Sequence, residues 1–279
     1  MIDLHLHTTA SDGRSTPDAL VAEAAAAGVR TLAVTDHDTV AGVAAVRAAA
    51  ARAGLAVIAG IEITAVHASR DVHVLGYFID EANASLLAFL ETQRASRRAR
   101  LDAIVGRLDA LGVPVDVAPF VAGATRESGR AVGRPAIAQA LVAAGHVRDV
   151  PEAFDRFLAE GRPAFVPRTG PSPRVVVDEI GRAGGVASLA HPGKLADDEL
   201  VRAFVGDGLE AIEVYHPDHD DAAVARYRAL AIAQDLLVTG GSDYHGPGSG
   251  RSAALGHIGL PAIEFARLAA RAGAGRGRS

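Results

Sequence analysis

Along the first 80 residues the apolar positions switch between a period of two and a period near 3.6, which predicts strands alternating with helices. Ile2 to His7 reads as a strand. Thr16 can N-cap a helix that carries Pro17 in its first turn, runs to Ala27 and ends at Gly28. Thr31–Thr35, Leu55–Thr64 and Val72–Ile79 are further β-type runs, with an alanine-rich helix from Val40 to Ala53. Asn83 to Leu111 then reads as one long helix whose basic stretch, Arg94 to Arg100, is expected to be a solvated face. Helical pieces follow at Arg134–Ala144 and Pro151–Glu160. From Ala164 the alternation resumes: Ser172 and Pro173 open a helix to Ala183, and strands recur at Val186–Ala190, Ala211–Tyr215 and Leu236–Gly240.

Strands alternating with helices imply an α/β fold with a mainly parallel sheet, either a barrel or doubly wound. The chain divides into two barrel halves, 1–80 and 165–265, around a helical insertion at 81–164. A tail at 266–279, rich in Gly, Arg and Ala from Arg271, is expected to be disordered.

Composition narrows the chemistry. Apolar residues make up 49% and charged residues 22%, an ordinary globular balance, and the net charge of −5 gives no global reason for a nucleic-acid scaffold or membrane-surface protein. With no cysteine, disulfides and thiolate zinc sites are excluded, so any metal is held by nitrogen and oxygen. No apolar run has the length of a membrane span. Because the candidate chemistry begins at Asp3, no leader peptide and a cytoplasmic location are expected.

Histidines and acids cluster where the predicted strands end. His5 and His7 end the first and project from one face, Asp36 and His37 follow the second, and Glu62 lies near the end of the third. His191 follows Val186–Ala190, His216 follows Ala211–Tyr215, and Asp243 and His245 follow the last. His73 is the awkward member, lying early in its strand. In α/β barrels this rim is where active sites assemble. Imidazoles and carboxylates without thiolate suit Zn²⁺, Mn²⁺ or Fe²⁺. Asp36 and Asp38 are expected to orient neighbours or shape turns, and His67, His146, His219 and His257 fit no motif.

Asp3-Leu4-His5-Leu6-His7-Thr8, Ser11-Asp12-Gly13, Thr35-Asp36-His37-Asp38, Gly60-Ile61-Glu62, Ala190-His191-Pro192 and Gly241-Ser242-Asp243-Tyr244-His245 resemble, in order, the motifs of the polymerase and histidinol phosphatase (PHP) family. The resemblance implies a distorted (β/α)₇ TIM-like barrel with two or three divalent cations (Mn²⁺, Fe²⁺ or Zn²⁺) at its rim. By motif, one cation would take His5, His7, Glu62 and Asp243; a second would share Glu62 and add His73 and His191; a third would use Asp12, His37 and His245. Three dications against three carboxylates leave a positive surplus suited to phosphate. Bridging metals can also generate hydroxide near neutral pH, so no protein nucleophile is required. Glu62, Asp243 and His191 are then the expected catalytic residues.

The middle segment, with Gly133-Arg134-Pro135 and Pro163-Ala164-Phe165-Val166-Pro167, resembles a bacterial subgroup acting on nucleotides. Its members include 3′,5′-nucleoside bisphosphate phosphatases and exonucleases that degrade short RNA from the 5′ end. Arg134 and His216 are the expected substrate contacts, and a nucleotide or short oligonucleotide is the expected partner, with no membrane or obligate protein partner. The alternatives are a histidinol-phosphate-type phosphatase and an amidohydrolase-like metal hydrolase. The latter often bridges its metals with a carboxylated lysine on a middle strand, whereas Lys194, the sole lysine, follows His191 in a predicted loop.

Overall fold

The computed structural model describes residues 1–122 and 128–276, with side chains in the last helix up to residue 274. Residues 123–127 of the expected insertion and 277–279 of the expected tail lie outside the described residues.

β1 (Ile2–Leu6) leads into α1 (Pro17–Ala26), where Thr16 caps the first turn by accepting the Ala19 N–H at 3.3 Å. β2 (Thr31–Val34) and α2 (Val43–Ala53) follow, then β3 (Ala56–His67) and β4 (Arg70–Tyr77). α3 (Ala84–Ala110), capped by Asn83, opens a helical segment with α4 (Ala118–Val121), α5 (Arg134–Ala143), α6 (Val150–Ala153) and a π-turn at Phe154–Leu158. The α/β order then resumes as α7 (Pro173–Arg182), β5 (Val186–Leu189), α8 (Asp198–Gly206), β6 (Ala211–Tyr215), α9 (Asp221–Ala233), β7 (Leu237–Gly240) and α10 (Ala262–Arg276).

The seven strands lie side by side in chain order. Most neighbours are parallel, as the pattern predicts, but β4 runs antiparallel to both β3 and β5. A two-residue turn replaces a crossover helix between β3 and β4, so the βα alternation breaks there. The sheet curls as a half-barrel. A bridge from Leu6 to Tyr244, with the His7 N–H donating to the Tyr244 carbonyl at 2.9 Å, returns the segment after β7 to β1.

One buried cluster joins the sheet to its helices through residues such as Leu32, Leu75, Ile212, Leu20, Val46 and Ile180. A second, with Leu101, Ile104, Leu108, Ile137, Leu141 and Leu158, forms within the helical segment. Each fully buried Leu or Ile contributes roughly 1.5–3 kcal/mol.

Two expectations are corrected. Residues from 266 to 276 continue α10 instead of forming a disordered tail, because Leu268 and Ala272 bury an apolar stripe in the main core. The basic stretch of α3 is not wholly solvated: Arg94 and Arg97 are buried. No helix among the described residues is long and apolar enough to cross a membrane.

Candidate metal centre

The ends of β1 and β7 are stitched together by a buried carboxylate. Asp3 Oδ1 accepts the His5 N–H at 3.2 Å and the Ser242 N–H at 2.9 Å. Gly241 permits this approach, since a Cβ there would lie 2.3 Å from the His5 nitrogen. His5, His7 and Asp243 therefore converge: Asp243 Oδ1 lies 3.3 Å from His5 Nε2 and 3.2 Å from His7 Nε2.

Glu62, on β3, stands between two sets of histidines. Its Oε1 lies 2.8 Å from His73 Nδ1 and 3.1 Å from His191 Nε2. Its Oε2 lies 3.1 Å from His37 Nδ1, 3.3 Å from His7 Nε2 and 3.4 Å from His5 Nε2. His73 reaches the rim because β4 is antiparallel, which puts its early residues beside the late residues of β3. On the far side, Asp12 lies 3.4 Å from His245 Nε2 and 3.7 Å from His37 Nε2. Asp36 fixes the loop carrying Asp12 by accepting from the Thr8 N–H at 2.8 Å and the Thr8 and Ser11 hydroxyls, each at 2.6 Å.

All nine residues expected as metal ligands thus line one basin. Three groups bring one ligand atom from each member within 4.8 Å of one another: His5, His7 and Asp243; His37, Glu62 and His73; and His7, Asp12, His37 and His245. This grouping differs from the motif-based partition by placing His7 and His37 in two groups each. His191 is in none of these groups; its Nε2 lies 3.1 Å from Glu62 Oε1 and its ring 5.2 Å from that of His73.

The donors fit a cation better than they fit one another. Both ring nitrogens of His7 and Nδ1 of His37 are buried without a hydrogen-bond partner, although carboxylate oxygens lie close by. Such orphans demand an explanation in a folded protein, and donor atoms aimed at a shared point supply one. Charge agrees. Burial alone would raise Glu62, Asp12 and Asp243, yet the surrounding histidines hold all three carboxyls well below their ordinary range. Burial pushes His37 down to about 3 and His191 to about 4, keeping their rings neutral with lone pairs free.

His5 and His245 go the other way. Burial opposes their charge, but Glu213, Asp243 and Glu62 hold His5 well above 6.5, and Asp12 raises His245 to about 9.

Glu213 was not singled out by any motif. It is fully buried on β6, accepts the His5 Nδ1–H at 2.8 Å and the His191 N–H at 2.8 Å, and so turns His5 Nε2 toward the basin. A lone acid inside the apolar run Ala211-Ile212-Glu213-Val214-Tyr215 is the signal that could have revealed it.

His216, expected as a substrate contact, is held against Asp243. Only 1% exposed, its Nδ1 accepts the Asp218 N–H at 3.1 Å and its Nε2 donates to Asp243 Oδ2 at 3.2 Å, so the ring orients Asp243. Arg251 also pairs with that oxygen, and Lys194 Nζ lies 3.9 Å from it.

Arg134 opens α5 and lines a cavity of about 500 Å³ together with His73, His191, Arg100 and Arg168. Its guanidinium donates to the Leu158 carbonyl at 3.2 Å and lies over Phe154 and Phe165, 5.7 and 5.8 Å from their ring centres.

Residues 3–106 match the family model described as the PHP domain. The chain is 36% identical over 253 residues to the 5′-3′ exoribonuclease Rnm of Escherichia coli, covering 88% of this chain and 85% of that protein. It is 34% identical over 256 residues to the 3′,5′-nucleoside bisphosphate phosphatase of Chromobacterium violaceum, covering 89% and 88%. A crystal structure from Bifidobacterium adolescentis, described as a candidate metal-dependent phosphoesterase, superposes with a TM-score of 0.87 at 34% identity, covering 97% of this chain and 96% of that one. The chain belongs to the PHP-domain family.

Proposed function

We propose that this protein is a metal-dependent phosphoesterase that removes the 3′-phosphate of nucleoside 3′,5′-bisphosphates and also accepts the 5′ ends of short RNA. The observation that carries this reading is Glu62, whose two oxygens face different histidine sets, one of which, His73 and His191, also lines an arginine-bearing cavity. We read the half-barrel as the distorted (β/α)₇ form and the segment 81–164 as a cap over its rim. Two or three cations of Mn²⁺, Fe²⁺ or Zn²⁺ would be held by His5, His7, Asp12, His37, Glu62, His73, His191, Asp243 and His245. When bound, such cations acidify a water and neutralise charge on phosphoryl oxygens.

The chain's own residues supply the rest. Glu213 and His216 fix the directions of His5 and Asp243. Arg134 grips an anionic group beside the basin, with Arg100 and Arg168 in the same wall. A substrate with two phosphates satisfies both the basin and this wall. The amine of histidinol phosphate would instead meet the cations Arg70, Arg100, Arg134 and Arg168, against only Asp71 and Glu160. Phe154 and Phe165 already carry Arg134, and aromatic residues are only 4% of the chain, so stacking along a long strand is poorly served.

Phosphate release from a panel holding adenosine 3′,5′-bisphosphate, short 5′-phosphorylated RNA and histidinol phosphate tests the assignment. The bisphosphate is expected to give the highest kcat/KM. Faster turnover of histidinol phosphate than of every nucleotide would overturn it.

A further inference from the structure

One guanidinium of the helical segment, that of Arg97, reaches three separate parts of the chain around the basin. α3 buries a stripe at helical spacing, Leu86, Leu90, Arg94, Arg97, Leu101, Ile104 and Leu108, so two arginines stand where apolar side chains would otherwise sit. Arg97 is 8% exposed. Its Nε pairs with Asp38 Oδ2, its Nη2 donates to Thr64 Oγ1 at 3.0 Å, and its Nη1 donates to the Val132 carbonyl at 3.4 Å.

Each of these partners adjoins a residue of the candidate site. Asp38 follows His37, Thr64 lies opposite His73 in the β3–β4 register, and Val132 precedes Arg134 by two positions. Asp38 also has a left-handed backbone (φ 51°), which a non-glycine residue keeps only when its surroundings over-determine it. Here the Thr64 N–H donates to Asp38 Oδ1 at 2.9 Å and Arg94 Nη1 donates to the Asp38 carbonyl at 3.2 Å, besides the Arg97 pair. Arg97 further lines a cavity of about 170 Å³ that touches Asp12, His37, His73 and Arg134.

We propose that Arg97 is a positioning residue for the cation place formed by Asp12, His37 and His245, and that it ties this place to the substrate cavity. The proposal rests on the function assigned above, since it presumes cations in the basin. A planar guanidinium presents donors in fixed directions and reaches three separate acceptors; a lysine ammonium is a point charge that cannot span them. Without the guanidinium, Asp38 loses its directly paired charge and keeps only Arg168, 3.9 Å away, so its turn and the aim of His37 loosen.

The test compares metal-stripped wild type with Arg97→Lys, Arg97→Gln and the double variant Arg97→Gln/Asp38→Asn, which leaves no buried carboxylate unpaired and so protects the fold. Mn²⁺ affinities are titrated against a competing chelator, thermal melts are recorded, and KM and kcat are measured on adenosine 3′,5′-bisphosphate. In all three variants one class of Mn²⁺ is expected to weaken by about 10–100-fold, as loss of an orienting partner does elsewhere, while other classes hold and KM rises. The double variant should recover melting temperature without recovering that cation. Wild-type Mn²⁺ affinities in Arg97→Lys and the double variant, with only the melting temperature changed, would overturn the proposal by reducing Arg97 to a structural role. A wild-type protein that binds no Mn²⁺ would overturn the functional reading itself, before any variant is compared.

Discussion

Glu62 Oε1 lies 2.8 Å from His73 Nδ1, across a hairpin in which His73 faces Thr64, while the other oxygen of the same carboxylate faces His37, His7 and His5. One side chain therefore serves two donor sets. Glu62→Gln replaces an oxygen on one side with an amide NH₂, which cannot ligate and carries no charge. We expect a folded protein whose metal occupancy and turnover both fall by more than the about 10–100-fold typical of losing an orienting partner. Metal analysis and phosphate release on one sample check this; near wild-type values for both would refute a bridging role.

Glu213→Gln keeps the size of the side chain but weakens its hold on His5 Nδ1–H and the His191 N–H. His5 then loses the charge that fixes its tautomer. A drop in metal affinity of about 10–100-fold is expected, with KM little changed at saturating metal. A chelator competition titration reads it directly.

The raised pKa of His245 sets a pH dependence with a definite sign. Its proton stabilises the metal-free fold fully below about 6.5, and that contribution is lost as pH rises through about 9. A cation placed between Asp12, His37 and His245 must displace this proton. Affinity for that cation should accordingly climb from pH 6.5 to about 9, and binding near pH 7.5 should release protons. Calorimetry in buffers of different ionisation enthalpy measures the release; binding with no proton release would contradict the assignment.

Arg134→Ala should act mainly on substrate binding. Losing a charge-assisted hydrogen bond costs roughly 1.5–3 kcal/mol, or about a ten- to 150-fold loss in kcat/KM. Most of it is expected in KM for nucleotides, with metal content unchanged. Kinetics within about twofold of wild type on every nucleotide would return Arg134 to an ordinary wall residue that packs on Phe154 and Phe165.

The rim was legible wherever a residue followed a parallel strand, as His7, His37, His191 and Asp243 do. His73 looked misplaced because the turn that reverses the chain, Ala68-Ser69, lacks the Asn-Gly signature of a tight hairpin although both residues sit at positive φ (47° and 66°). The buried arginines of α3 were hidden by their charge, yet their positions continue the spacing of Leu90 and Leu101. Glu213 and His216 hydrogen-bond to His5 and Asp243, contacts across the sheet that leave little local pattern. Residues 266–276 read as part of a disordered tail by composition, and tertiary packing of Leu268 and Ala272 overrode that.

The central claim, that this basin works through bound cations on a phosphomonoester, is tested most directly by phosphate release from adenosine 3′,5′-bisphosphate before and after complete metal removal. The account predicts at least two cations per chain in active protein, activity lost on stripping, and activity restored in proportion to the Mn²⁺ taken up. Undiminished phosphate release from protein that holds no metal would contradict it.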